Sequence, residues 1–393
     1  MAGGDTQPWP RGGAGLNRAT VLELFFDLAF VLVLSQLSHH LANHLSWRGL
    51  FETVVTTAAL WWIWTVVTWV TDMYDSEDPA LQLLVTVLTF GVIVMAVAIQ
   101  GAFDGHGMIF AAAYVGVHLI RNIAVLVVGR GKALNLPSLR MLLWPLVSAP
   151  LWFVGAALHG GWQLWLWTVG IVVDYESIGA RRPVPLLGGR RGLWQVGGEH
   201  LAERYRQLLL MGLGDAFLTM GAAWLDTPST PLRGATIVLT FLYTTLLFQS
   251  YFRVAGQRLA EMIAESGNKV RVARLAVDFH LLMLLGIVIT SVGIDLIIRH
   301  PLERTHGFWT AVIVVGPALF MLGRILFGRL VLSRLSPSRE IALIGLLAIT
   351  PLAGVLPPIL TGVAATAVLA VVQLPRISKR FARWIHEPVL EEE

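Results

Sequence analysis

Apolar stretches of membrane-spanning length recur about twelve times along the chain. They lie near residues 20–42, 50–71, 79–102, 107–128, 137–157, 161–177, 206–225, 233–252, 272–298, 307–328, 340–359 and 360–376. Pro357 and Pro358 fall between the last two, where they mark either a turn or a break. One long connection interrupts the pattern: from about residue 178 it carries Arg181, Arg182, Arg190 and Arg191 among Gly and Pro, and reads as a linker between halves. The expected fold is all-α: a polytopic membrane protein of about 12 transmembrane helices. Residues 1–19 precede a first six-helix repeat (20–177), a basic linker (178–205), a second six-helix repeat (206–376) and a tail (377–393).

Two carboxylates break the apolar text in matching places. Asp27 follows Arg18 by nine residues and Asp215 follows Arg206 by nine. At about 1.5 Å per residue each acid falls roughly 13 Å beyond its Arg, near the middle of a hydrocarbon slab about 30 Å thick. An acid there is costly unless it faces protein or water, which marks both as candidate functional groups. The halves match again at Phe90–Gln100 against Leu285–Asp295, and at His106-Gly107 against His306-Gly307. The offsets run from 188 to 200 (27 to 215, 100 to 295, 106 to 306). Six spans per half return the chain to its starting side, so the repeats are expected to be parallel.

Composition agrees with this pattern. The chain of 393 residues is 55% hydrophobic and only 14% charged, far below the quarter usual for a soluble domain. There is no Cys, which removes disulfides and thiolate metal sites. The basic balance, with a pI near 9.7, reads as Arg gathered on one side of a membrane and not as a nucleic-acid footprint. Lys and Arg concentrate in segments that share one side with the N-terminus, and the opposite loops keep only Arg48, Arg233, Arg299 and Arg304. Both termini are therefore expected in the cytoplasm, with the protein in a bacterial inner membrane. The one acidic loop on that side, Asp72 to Asp78, weighs little in this rule. The first apolar run is too long and too acidic for a cleavable signal peptide.

Glu23 and Asp27 are four residues apart and share a helix face. His118 and Arg121, three apart in the fourth span, share another, and Arg121 is a candidate partner for either acid. Such a pair is either a buried structural ion pair or a proton or cation site. Asp215 sits beside Gly212 and Gly214, which suit close approach of another backbone, and His280 enters the ninth span from the same side. His280 is either a hydrogen-bonded core group or a proton relay. Trp61, Trp62 and Trp64 lie halfway through the second span, as core packing or as an aromatic wall for an organic or cationic ligand. His39, His40 and His44 point in different directions on a helix, and no metal site is expected there. No nucleotide-binding or hydrolase motif occurs, so no cofactor is expected.

The string Leu22-Glu23-Leu-Phe-Phe-Asp27-Leu-Ala-Phe, the following Ser35-Gln-Leu-Ser-His-His40 and the Trp61-Trp62-Ile-Trp64 cluster resemble the opening of the bacterial low temperature requirement A (LtrA) family. The stretch His200-Leu-Ala-Glu203-Arg204 through Gly214-Asp215 is similar to that family's His-x-x-Glu-Arg…Gly-Glu element, which implies a structural role for His200, Glu203 and Arg204. The run from His280 to His300-Pro301 resembles its later pattern. Asp215 stands where the family usually has Glu, and Arg253 where it tends to have an acid. The resemblance implies a multi-pass membrane protein and no settled chemistry.

The expected function is proton- or cation-coupled transport of a small molecule or ion. Asp27, Asp215 and Glu23 would handle the charge, Trp61, Trp62, Trp64, His118, Arg121 and His280 would bind the substrate, and Glu23, His118 and Arg121 would also tune Asp27. The alternative is an intramembrane enzyme in which a protonated acid starts chemistry on a lipophilic substrate, such as cyclisation of a prenylated lipid. Membrane lipids are the expected partners, nucleic acid is not, and a homo-oligomer is compatible with the sequence.

Overall fold

A computed structural model of the chain describes residues 20–128, 136–179, 198–252, 269–303, 307–332 and 337–371. The first helix opens on a reciprocal cap. Thr20 Oγ1 accepts from the Glu23 backbone N–H at 3.4 Å, and Glu23 Oε2 accepts from the Thr20 backbone N–H at 2.8 Å. From there α1 runs Val21–Asn43, and α2 (Trp47–Met73) follows behind a Ser46 cap. α3 (Pro79–Ala98) starts where the Asp78 side chain accepts from the Ala80 N–H, and it ends in a 3-10 turn at Ile99–Gly101. Then come α4 (Gly107–Val128), α5 (Leu136–Leu158) and α6 (Gly160–Gly179). After residue 197 follow α7 (Gly198–Leu225), α8 (Pro231–Phe252), α9 (Lys269–Arg299), α10 (Gly307–Leu332), α11 (Pro337–Ile349) and α12 (Pro358–Val371). Among the described residues there is no extended strand.

Among the described residues, eight helices carry an apolar stretch long enough to cross a membrane, α1 to α4 and α7 to α10. Leu143–Leu158 and Pro358–Val371 are shorter. Two boundaries correct the sequence reading. α11 stops at Ile349 instead of running to 359, because Pro351 opens a short 3-10 turn at Leu352–Gly354 and the next helix starts on Pro358. Proline suits a first turn, where its missing N–H costs nothing. α7 begins at Gly198, eight residues before the expected 206, so the charged run His200 to Arg206 is helical and not linker. The linker arginines, Arg18, Arg253 and the tail lie outside the described residues.

The chain divides into two compact units, one from the described residues of Met1–Met211 and Gly256–Val277, the other from those of Gly212–Ala255 and Asp278–Glu393. In the first, α1 packs on α2 and α3, α3 on α4, α4 on α5 and α5 on α6, and α2 also meets α4 and α6. The inner face of α1 buries Phe26, Phe30, Val33, Leu34, Leu37 and Leu41 at spacings of three and four. Its outer face, with Val21, Leu24, Phe25 and Leu28, is exposed and equally apolar. A helix apolar all round suits lipid, not water. Glu23 and Asp27 lie on the inner face.

In the second unit α8 and α11 pack on α10. α9 meets α10 backbone to backbone. A Cβ on Gly286 would stand 2.6 Å from the Phe320 N, one on Gly316 2.6 Å from the Thr290 N, one on Gly293 2.9 Å from the Ile313 Cα and one on Gly323 2.8 Å from the Phe279 O. Small residues permit such approach, and dispersion then holds helices that lipid does not push together. Gly316→Val is expected to cost about 1–3 kcal/mol or more by overpacking, read as a lower unfolding temperature in detergent. Gly221→Ala, with nothing within 4 Å of its Cβ, should be neutral or slightly stabilising. An unchanged melt after Gly316→Val would disprove the backbone contact.

Candidate functional site

The site is built from two matched ladders in the first unit. Glu23 and Asp27 stand one turn apart on α1, and His200 and Arg204 one turn apart on α7. Residues four apart are neighbours on a helix face, so two acids meet two cationic side chains rung by rung. On the first rung His200 Nε2 lies 3.1 Å from Glu23 Oε2. On the second, Arg204 forks onto Asp27, Nη1 to Oδ2 at 2.5 Å and Nη2 to Oδ1 at 2.8 Å. Glu23, Asp27 and Arg204 are fully buried, and His200 is 3% exposed.

α2 supplies the third wall. Trp64 Nε1 donates to Asp27 Oδ1 at 3.0 Å. One helix end away, Asp72 Oδ1 lies 3.0 Å from His200 Nδ1, close enough for an ion pair but out of line for a hydrogen bond. The imidazole therefore stands between two carboxylates. Neutral imidazole carries a single N–H and can satisfy only one of them. His200 thus bridges Glu23 and Asp72, while Arg204 answers Asp27.

The aromatic residues are packed. Trp61 stacks on Trp64 at 5.1 Å and on Tyr205 at 6.2 Å, and the Arg204 guanidinium lies 5.5 Å from the Trp64 centroid. These faces cover one another and the ion pair. The cluster also sits nearer one end of α1 than its centre. Six residues of α1 precede Asp27 and sixteen follow it, which places it about 9 Å from the helix start. The apolar run of α1 extends much further beyond Asp27 than before it.

The remaining candidates lie elsewhere. Arg121 does not partner Asp27 or Glu23. Its Nη2 donates to Asn122 Oδ1 at 2.5 Å and its Nη1 reaches the Val66 carbonyl at 3.5 Å. His118 is buried edge-on against Tyr114 at 4.7 Å. Trp62 stacks on Tyr175 at 4.6 Å. Glu203 is half-buried, binds Arg206 and accepts from Gln207 at 3.3 Å.

In the second unit His280 is buried, with Nε2 2.9 Å from the Tyr251 hydroxyl and its ring against Phe327 at 4.6 Å. Asp215 is fully buried. The glycines beside it are not in close backbone contact: the atoms nearest a Cβ on Gly212 are side-chain atoms of Ile287 and Leu284, and one on Gly214 meets nothing within 4 Å.

Sequence reasoning missed Asp72, taken for part of an acidic loop although it belongs to the last turn of α2. It also missed the cap that fixes Glu23, for which Thr20-x-x-Glu23 was the available signal. The pairing had a signal as well: two acids and two cationic side chains, each pair four residues apart, on different helices.

A bundle of lipid-length helices enclosing a charged cluster in its apolar interior is a multi-pass membrane protein. This chain belongs to the bacterial low temperature requirement A protein (LtrA) family, whose model matches residues 18–374 and so takes in the whole cluster. An uncharacterized protein of Rhizobium meliloti (strain 1021), RA0937, is 35% identical over 340 residues, covering 84% of this chain and 82% of its own. No solved structure matches.

Proposed function

We propose that this protein is a proton-handling transporter in which the Glu23–His200–Asp72 triad takes up and releases a proton and the Asp27–Arg204 pair holds the triad in place. The observation that carries this reading is the single buried imidazole with a carboxylate oxygen about 3 Å from each ring nitrogen. Asp72 is the most accessible of the three, its side chain 7% exposed against 4% for His200 and 0% for Glu23, and it is the natural point of exchange with water. The Lys and Arg bias assigns the end where α1 starts, α2 ends and α7 starts to the cytoplasm of a bacterial inner membrane. Asp215 is the corresponding acid of the second half. The plan of twelve spans in two parallel repeats belongs to the same reading, supported by six described helices before residue 180 and six after residue 197. The cargo is a small molecule or ion.

The test needs no cargo. Protein reconstituted on a solid-supported membrane is given pH jumps between about pH 5 and about pH 8, the range in which an imidazole exchanges its proton. Transient charge movement is expected, because proton binding inside the bilayer displaces charge even without turnover. No charge movement above that of empty liposomes would sink the reading.

A further inference from the structure

α2 carries six threonines between its cap and Asp72, and they fall into two kinds. Thr53, Thr56 and Thr71 turn their hydroxyls back onto carbonyls of their own helix, at 2.8 Å to Gly49, 2.8 Å to Glu52 and 3.1 Å to Thr68. Thr57, Thr65 and Thr68 do not. Their hydroxyls are buried and have no hydrogen-bond partner among the described residues, and neither has the Trp61 indole N–H. All four residues are at most 1% exposed. A buried hydroxyl or N–H left unpaired costs about 1–3 kcal/mol, so four in one helix call for a polar occupant.

The four lie in a row. With 3.6 residues per turn, Thr57, Trp61, Thr65, Thr68 and Asp72 fall on one face about 80° wide, over about 22 Å of α2. Successive members are about 5–6 Å apart along the axis, a gap that one water spans with a hydrogen bond at each side. The row ends at the triad, where Glu23 Oε1 and Arg204 Nε are likewise buried without a hydrogen-bond partner among the described residues. Polar groups at this spacing suit buried water, which needs two to four partners. None of Thr57, Trp61, Thr65 and Thr68 bears a charge that would hold a bare ion. The Trp61 ring is flanked by Trp64 and Tyr205, which leaves no room for a bulky solute.

We infer that the Thr57–Trp61–Thr65–Thr68 face of α2 is hydrated and conducts protons in single file to the Glu23–His200–Asp72 triad. The inference rests on the proton-handling reading for its role, but not for its hydration. A proton entering the file at the Thr57 end releases another at the triad, so charge and hydrogen balance with no further reactant.

Two measurements test it. In protein 15N-labelled at tryptophan and held in lipid nanodiscs, the Trp61 indole N–H, assigned with Trp61→Phe, should show a water cross-peak and exchange faster than the Trp64 N–H bonded to Asp27. In the pH-jump assay, Thr57→Val/Thr65→Val/Thr68→Val should slow the charge movement about tenfold, equivalent to about 1.4 kcal/mol on the barrier. Thr53→Val/Thr56→Val should stay within about twofold of wild type, because those hydroxyls already bond their own helix. Valine matches threonine in shape, and the nanodisc measurement on unmutated protein decides the matter should the triple variant fail to fold. A dry Trp61 N–H, or a folded triple variant with unaltered charge movement, overturns the inference. A wild-type protein silent to the pH jump but wet at Trp61 would remove the proton role and leave the hydrated face standing.

Discussion

Arg204→Leu is expected to cost about 3–5 kcal/mol of stability, the largest loss of any single change outside the glycine contacts. The substitution leaves Asp27 fully buried with only the Trp64 N–H to answer its charge. It also removes the cation over the Trp64 ring, worth about 1 kcal/mol. Arg204→Lys should recover only part of the loss, because a point charge cannot reproduce the two-pronged contact with Oδ1 and Oδ2. The double variant Asp27→Leu/Arg204→Leu should be far more stable than Arg204→Leu alone, since an apolar pair of similar bulk carries no desolvation penalty. Thermal or denaturant unfolding in detergent, arranged as a double-mutant cycle, reads the coupling directly. Equal losses in Arg204→Leu and in the double variant would mean that the pair does not interact as described.

Lipid-length runs of Leu, Val, Ile and Phe made the helices legible, because hydropathy alone reports them. It misplaced the start of α7 for the same reason. Gly198 to Arg206 contains Glu199, His200, Glu203, Arg204 and Arg206, which count against a span on any transfer scale. His200 and Arg204 are buried there because acids of α1 and α2 answer them, and that compensation is tertiary. The contact between Asp27 and Arg204 joins positions 177 residues apart, beyond any helical period.

The same limit explains Arg121. Its depth in α4 suits Asp27, but depth says nothing about lateral neighbours, and its guanidinium is held by Asn122 and a carbonyl of α2. The glycines misled in a different way. Gly212 and Gly214 flank a buried acid, whereas the backbone contacts are made by Gly286 and Gly293 on α9 and by Gly316 and Gly323 on α10. Those pairs repeat at seven residues, the period that keeps a seam on one face of a packed helix, and in that respect they were readable.

His200→Gln is expected to abolish pH-dependent charge movement, a loss of about a hundredfold or more if proton transfer through the ring is obligatory. Glutamine keeps polar atoms near Glu23 and Asp72 but cannot gain or lose a proton in the working range. The ring that stands between Glu23 and Asp72 would then no longer relay a proton from one acid to the other. Asp72→Asn should give a lesser loss, since His200 would still face Glu23 while the most accessible exchange point disappears. Glu203→Gln, on the same helix but turned toward Arg206 and half-buried, should stay within about twofold of wild type and excludes a generic effect of removing charge from α7. A purely structural role for His200 predicts a different pattern: His200→Gln would lower the unfolding temperature, yet whatever protein remained folded would answer the pH jump with wild-type amplitude per molecule. Charge movement normalised to folded protein separates the two, and retention of full amplitude in His200→Gln would remove the ring from the proton path.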